Sequence, residues 1–172
     1  LEHEYTADCD DSCNNCDYIR EVEVDHEYDD ATDADCNNCG AIRELRSGWV
    51  LEDGNWYYYE NGAKKTGWLY NSNQWYYLNG EGVMVKGWLN LNGTWYYLDA
   101  VYGQMVKGWL RVNGTYYYLD TTYGHMVTGW LNLGGTWYYL KSNGAMATGW
   151  LRLGNTYYYL KASGAMATGW LN

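Results

Sequence analysis

The dipeptide Gly-Trp recurs seven times, at Gly48-Trp49, Gly67-Trp68, Gly87-Trp88, Gly108-Trp109, Gly129-Trp130, Gly149-Trp150 and Gly169-Trp170, in steps of 19, 20, 21, 21, 20 and 20 residues. Phased copies at such a period restrict the chain to repeat architectures, in which each unit buries its apolar face only against its neighbours. Within every step the order is the same: Gly-Trp, a short apolar segment, a turn, a run of Trp and Tyr closing on Leu or Tyr, then a Gly-containing loop. In five of the six full units that loop carries a methionine: Met84, Met105, Met126, Met146 and Met166. The first loop, residues 61–66, has none.

Each unit reads as a β-hairpin. Asp53-Gly54, Asn92-Gly93 and Asn113-Gly114 are strong signals for a two-residue type I′ turn, and Gly134-Gly135 and Gly154-Asn155 suit it too. With Asn92-Gly93 as the turn, Leu91 faces Thr94, Asn90 faces Trp95, Leu89 faces Tyr96 and Trp88 faces Tyr97. Side chains alternate across a strand, so one face shows Trp88, Asn90, Trp95 and Tyr97, and the other shows Leu89, Leu91, Tyr96 and Leu98. A lone hairpin is marginal in water, so the aliphatic face must pack on the next unit. The expected fold is all-β: over residues 46–172, a β-solenoid of stacked hairpins of ~20 residues each.

Residues 1–45 obey different physics. They hold 15 Asp/Glu against Arg20 and Arg43, a balance of −13, whereas residues 46–172 carry six acids and nine Lys/Arg. All five cysteines also precede residue 40. The acidic start argues against nucleic acid, which requires clustered positive charge. No run of 18 apolar residues offers insertion into a membrane. This small, irregular Cys-rich segment has its own repeat at a period of 23, with His3-Glu4-Tyr5 matching His26-Glu27-Tyr28 and Cys13-Asn14-Asn15-Cys16 matching Cys36-Asn37-Asn38-Cys39. So few apolar residues cannot make a core, and a metal or cross-links must hold the segment. Cys13, Cys16, Cys36 and Cys39 suit a structural four-thiolate zinc site; Cys9, Cys13, Cys16 and His26 form an alternative Cys₃His set. Disulfides are the competing reading, against which stand the odd cysteine count and the two-residue spacing.

The aromatics are 11 Trp and 21 Tyr, with no Phe. Trp and Tyr join an apolar body to a polar tip and favour half-wet surfaces, so a purely structural stack has little reason to prefer them throughout. Two or three ring walls closing on a gap between hairpins form a cage suited to quaternary ammonium groups.

The unit Gly-Trp-Leu-Asn-Leu-Asn-Gly-Thr-Trp-Tyr-Tyr-Leu, followed by Tyr-Gly-Gln-Met-Val-Lys-Gly-Trp, closely resembles the choline-binding (cell-wall-binding) repeats of Gram-positive surface proteins over residues 48–172. Glucan-binding repeats are similar, though Trp-rich second strands and a loop Met look more like the choline type. The cysteine segment resembles short Cys/His repeats of secreted clostridial proteins. The family resemblance implies a non-catalytic module, extracellular and associated with the cell wall. It implies choline as the ligand, carried by teichoic or lipoteichoic acid, with a glucan polymer as the alternative partner. It also implies that choline sits between consecutive hairpins, against the Gly-Trp tryptophan and the first aromatic of the second strand, with one aromatic from the next repeat and a Met nearby. Carried over, the cages are Trp68, Trp75 and Tyr97 with Met84; Trp88, Trp95 and Tyr118 with Met105; Trp109, Tyr116 and Tyr139 with Met126; and Trp130, Trp137 and Tyr159 with Met146. Trp49 and Trp56 with Tyr77 form a further set that has no loop Met behind it.

Nothing in the chain suggests catalysis. His125 occupies a loop position where the other repeats carry Val83, Gln104, Ala145 and Ala165. Asp99 and Asp120 end second strands, where Leu-Asp suits a turn, and no nucleophile set or carboxylate pair stands out. A catalytic module elsewhere in a longer parent protein is compatible with this reading.

Overall fold

The turns organise the molecule. In a computed structural model, which describes residues 29–35, 37 and 43–169, Asp53, Asn92 and Asn113 have φ of 49°, 52° and 48°, each followed by a glycine near 80°. This is the left-handed pair that a type I′ turn requires, and its twist matches that of the flanking strands. Ser72-Asn73 makes the same turn without glycine (φ 49° and 62°), a signal too weak to pick out by composition.

Thirteen strands follow, all antiparallel, and no helix is present among the described residues. Two compact units are distinguished. The first includes β1 (Gly48–Glu52), β2 (Asn55–Glu60) and β3 (Ala63–Lys64), a three-stranded sheet in the order β1-β2-β3. Here Arg43 donates from its backbone N–H to Ala34 O (2.9 Å) and from Nε to Asp33 O (2.8 Å). Gly62, at φ +81°, lies so close to the Ala31 carbonyl that a Cβ would fall 2.0 Å from its oxygen.

The second unit is a run of two-stranded hairpins. These comprise most of β4 (Gly67–Asn71) and β5 (Gln74–Leu78), then β6 (Gly87–Leu91) with β7 (Thr94–Leu98), and β8 (Gly108–Val112) with β9 (Thr115–Leu119). β10 (Gly129–Leu133) with β11 (Thr136–Leu140) and β12 (Gly149–Leu153) with β13 (Thr156–Leu160) complete it. The β6–β7 register pairs Leu91 with Thr94, Asn90 with Trp95, Leu89 with Tyr96 and Trp88 with Tyr97, as the turn chemistry predicts.

The loops join one hairpin to the next. Each methionine makes an antiparallel bridge to the leucine ending its own hairpin, as Leu119 does with Met126. Its backbone N–H reaches one hairpin back, Met105 to Trp75 O, Met126 to Trp95 O, Met146 to Tyr116 O and Met166 to Trp137 O, all within 2.8 Å. Both strands of a two-stranded hairpin are edges, and this bond satisfies a carbonyl that would otherwise lack a partner. The leucines at the bridges, Leu98, Leu119, Leu140 and Leu160, are fully buried and form the core. Successive hairpins of this unit therefore stack as a β-solenoid.

Candidate ligand-binding site

Strand alternation decides which rings meet. Trp88 and Tyr97 are direct cross-strand partners on one face and pack edge-to-face at 5.2 Å. Tyr117 points to the opposite face of its own hairpin, the face turned towards the preceding one, and its ring lies 4.9 Å from that of Trp88. With Trp95 6.2 Å from Trp88 and nearly perpendicular to it, three rings form a corner. The corner repeats as Trp68, Trp75 and Tyr96 (6.3 and 5.0 Å from Trp68), Trp109, Tyr116 and Tyr138 (6.5 and 5.0 Å from Trp109), and Trp130, Trp137 and Tyr158 (6.2 and 4.8 Å from Trp130).

The tyrosine that meets each tryptophan pair is therefore one residue earlier than the sequence reading placed it. Tyr97, Tyr118, Tyr139 and Tyr159 instead pair with Trp88, Trp109, Trp130 and Trp150 of their own hairpins, all at 5.2 Å. Tyr77 likewise pairs with Trp68, and Trp49 with Tyr58 at 5.3 Å. The physical reason is the period of two: the residue on the same face as the Gly-Trp tryptophan cannot also reach the hairpin before.

The methionines shift by one whole repeat. Met126 joins Trp88, Trp95 and Tyr117; Met146 joins Trp109, Tyr116 and Tyr138; Met166, absent from the expected set, joins Trp130, Trp137 and Tyr158. Met105 takes the matching place beside Trp75, and Met84 donates its backbone N–H to Trp56 O at 2.8 Å. The backward hydrogen bond of each loop carries the thioether to the preceding hairpin's rings, which a reading confined to one repeat could not show.

These clefts measure about 360, 340 and 310 Å³, at the small end of the ligand-pocket range of about 300–1,000 Å³. Trp88 and Trp130 are half-buried and Trp109 is somewhat more open, while Trp95, Trp137 and Tyr116 are exposed, so one wall of each cleft stands open to solvent. Two kinds of corner alternate. Asn90 opposite Trp95 and Asn132 opposite Trp137 give way to Arg111 opposite Tyr116 and Arg152 opposite Tyr157. In the latter the guanidinium carbon lies 5.4 and 5.7 Å from the tyrosine ring centre.

The first hairpin is different. Lys64 stands where the other loops have methionine, bridged to Tyr59. Its Nζ lies 3.5 Å from the ring centre of Tyr57, the counterpart of Tyr117, and 3.3 Å from Glu52 Oε2. An internal cation thus rests on the ring whose counterparts elsewhere complete the three-ring corners.

Asp99 and Asp120 are turn residues, as expected. Asp99 Oδ1 accepts N–H bonds from Tyr102 (2.7 Å) and Val101 (2.9 Å), and Asp120 Oδ1 from Tyr123 and Thr122. His125 stacks on Tyr123 in its loop. The expected zinc ligands Cys9, Cys13, Cys16, His26, Cys36 and Cys39 lie outside the described residues. Among the described residues there is no cluster of three or more metal-ligating side chains and no helix long and apolar enough to cross a membrane.

The family model "choline-binding repeat" matches residues 65–106, 85–128 and 127–170, and the model "putative cell wall binding repeat" matches 47–62. No protein of curated function matches. Among solved structures, choline-binding protein F of Streptococcus pneumoniae is 43% identical with a TM-score of 0.70, over 80% of this chain and 49% of that one. The same protein in complex with ipratropium gives 39% identity and a TM-score of 0.68, over 80% and 51% of the two chains. CbpJ of Streptococcus pneumoniae gives 40% identity and a TM-score of 0.69, over 87% of this chain and 48% of that one. The chain thus spans about half the length of these solved relatives. Phased hairpins, ring corners and family models agree: the chain belongs to the choline-binding repeat family.

Proposed function

We propose that the module is a non-catalytic anchor that holds choline groups of a cell-wall teichoic-type polymer, one cation per ring corner, at an extracellular surface. The observation that carries this is the recurring three-ring corner with a thioether beside it, in clefts open on one side. Ring faces attract a cation through their quadrupole, at roughly 0.5–2 kcal/mol per contact. Three such contacts, less the cost of association, give about millimolar affinity per site. Several sites on one stack meeting a repetitive polymer gain on the order of 10²–10⁴ through avidity. The ipratropium complex of choline-binding protein F supports the reading, since that ligand carries a quaternary ammonium.

The test separates charge from shape. Choline should perturb Trp fluorescence in the millimolar range, and the neutral isostere 3,3-dimethylbutanol should bind far more weakly. Equal binding of the two would end the reading. A response to dextran but not to choline would favour the glucan alternative, in which the same rings act as flat platforms for sugars.

A further inference from the structure

The turns and loops carry a reactive pairing of their own. Five Asn-Gly pairs lie in the sequence: Asn61-Gly62, Asn79-Gly80, Asn92-Gly93, Asn113-Gly114 and Asn143-Gly144. In such a pair the glycine nitrogen can attack the asparagine carboxamide carbon, because glycine has no side chain to hinder the approach. The N–Cγ bond forms, the side-chain nitrogen leaves as ammonia with the glycine N–H proton, and water opens the succinimide to aspartate or isoaspartate. An ordered turn keeps the nitrogen away from Cγ, so the backbone must rotate before the bond can form. Hydrogen bonds that hold the glycine N–H or the carboxamide therefore decide which pair reacts first.

Four of the five are held. Gly62 is buried and donates its N–H to Arg46 O at 2.8 Å. Asn79 Oδ1 accepts N–H bonds from Glu81 (3.0 Å) and Val83 (2.9 Å). Gly144 donates its N–H to Lys141 O at 2.8 Å, and Asn143 Oδ1 accepts from Ala145 N–H at 3.1 Å. That loop is also clamped, since a Cβ on Gly144 would fall 2.2 Å from Met126 Sδ. Gly93 donates its N–H to Asn90 Oδ1 at 3.0 Å. Gly114 is the exception. Its turn matches Asn92-Gly93 in backbone, with φ of 48° and 81° against 52° and 87°, and both pairs are exposed and followed by Thr. The position of Asn90 is taken by Arg111, however, and a guanidinium has no acceptor to offer. Its carbon lies 5.4 Å from the ring centre of Tyr116 instead. Among the described residues, neither the Gly114 N–H nor the Asn113 carboxamide has a hydrogen-bond partner.

We propose that Asn113 is a self-modification site, the first of the five pairs to convert to aspartate and isoaspartate in the folded chain. The isoaspartyl product carries one more backbone carbon, which spoils the two-residue loop that sets the β8–β9 register. Either product puts a negative charge at a turn position that a guanidinium can reach, as Arg152 Nε shows by bonding Gly154 O, the counterpart of Asn113, at 2.9 Å. The test incubates the whole chain in mildly alkaline buffer and digests it with trypsin, which places the five pairs on five separate peptides. Mass spectrometry follows the exchange of the amide for a carboxyl, and an isoaspartyl methyltransferase labels the isoaspartate. Asn113 should convert about two- to tenfold faster than Asn92, the net value of one hydrogen bond, and ahead of the other three. In urea, where both turns are lost, Asn92 and Asn113 should convert at similar rates. Arg111→Asn supplies the missing acceptor and should slow Asn113 to the Asn92 rate; Asn90→Arg removes it and should speed Asn92 to the Asn113 rate. Equal rates at the two turns in the folded chain, a difference that survives urea, or rates unmoved in both variants would each overturn the assignment.

Discussion

Substituting Gly144 by Ala tests the clamp between consecutive loops. Two costs add. An L-residue at φ +82° pays roughly 1–2 kcal/mol for the left-handed backbone. The new Cβ also meets Met126 Sδ at 2.2 Å, Cε at 2.8 Å and Cγ at 3.0 Å, so the thioether must swing away as a whole rather than yield at its tip. Overpacking of this kind costs typically 1–3 kcal/mol. Together they predict a loss of about 2–5 kcal/mol, or a fall in Tm of roughly 5–15 °C for a chain of this size. Gly93 supplies the internal control, because its φ is +87° but no atom stands within 4 Å of its missing Cβ. Gly93→Ala should therefore cost only the backbone part. Thermal unfolding followed by near-ultraviolet circular dichroism reads both, and a cycle with Met126→Ala isolates the clash. In the Met126→Ala background the cost of Gly144→Ala should drop to that of Gly93→Ala. Equal costs for Gly144→Ala in the two backgrounds would refute the clamp.

Other expectations are as direct. Tyr117→Ala should weaken choline binding at the Trp88 site by roughly three- to thirtyfold, the value of one ring wall. Tyr118→Ala should instead cost about 3 kcal/mol of stability, since that ring is buried against Trp109; a fluorotryptophan titration with an unfolding curve distinguishes the two. Arg111→Asn should raise choline affinity at the Trp109 site about two- to fivefold by removing a like charge from the Tyr116 ring, read from the Trp109 resonance. The N–H bonds from Tyr102 and Val101 hold the Asp99 carboxyl below its usual 3.8, outweighing the desolvation that opposes them. The turn it caps is therefore fully supported above that value and loosens as pH falls through the lower folded value; a Tyr102 amide titrating at 3.8 or above would contradict this. The Cys-x₂-Cys spacing predicts about one zinc per chain, which elemental analysis would find; all cysteines paired by mass spectrometry would decide for disulfides.

Much of the architecture was legible before any coordinates. Asn92-Gly93 and Asn113-Gly114 dictated both turn type and register, and from the register followed the two faces of every hairpin. The same alternation already separated Tyr96 from Tyr97, and it is Tyr96 whose ring meets Trp68 of the hairpin before, whereas the family pattern named Tyr97. The methionines were hidden for another reason. Their place depends on an N–H bond to the hairpin before, as from Met126 to Trp95, and no feature within one repeat encodes that register. Ser72-Asn73 was missed because neither residue is glycine, although both take left-handed φ.

Lys64 bears on what the ring face of the first hairpin can accept. An open ring face on a hairpin of this kind is a place where another aromatic surface can stack. At the first hairpin that face is already taken. The Lys64 ammonium covers Tyr57 and is tethered to Glu52, which Arg46 also binds. A second chain docking there would have to strip water from a charged pair or displace it, a penalty that ordinary ring-on-ring stacking does not meet. A lysine in place of a methionine thus turns an apolar ring face into a charged one in a single substitution.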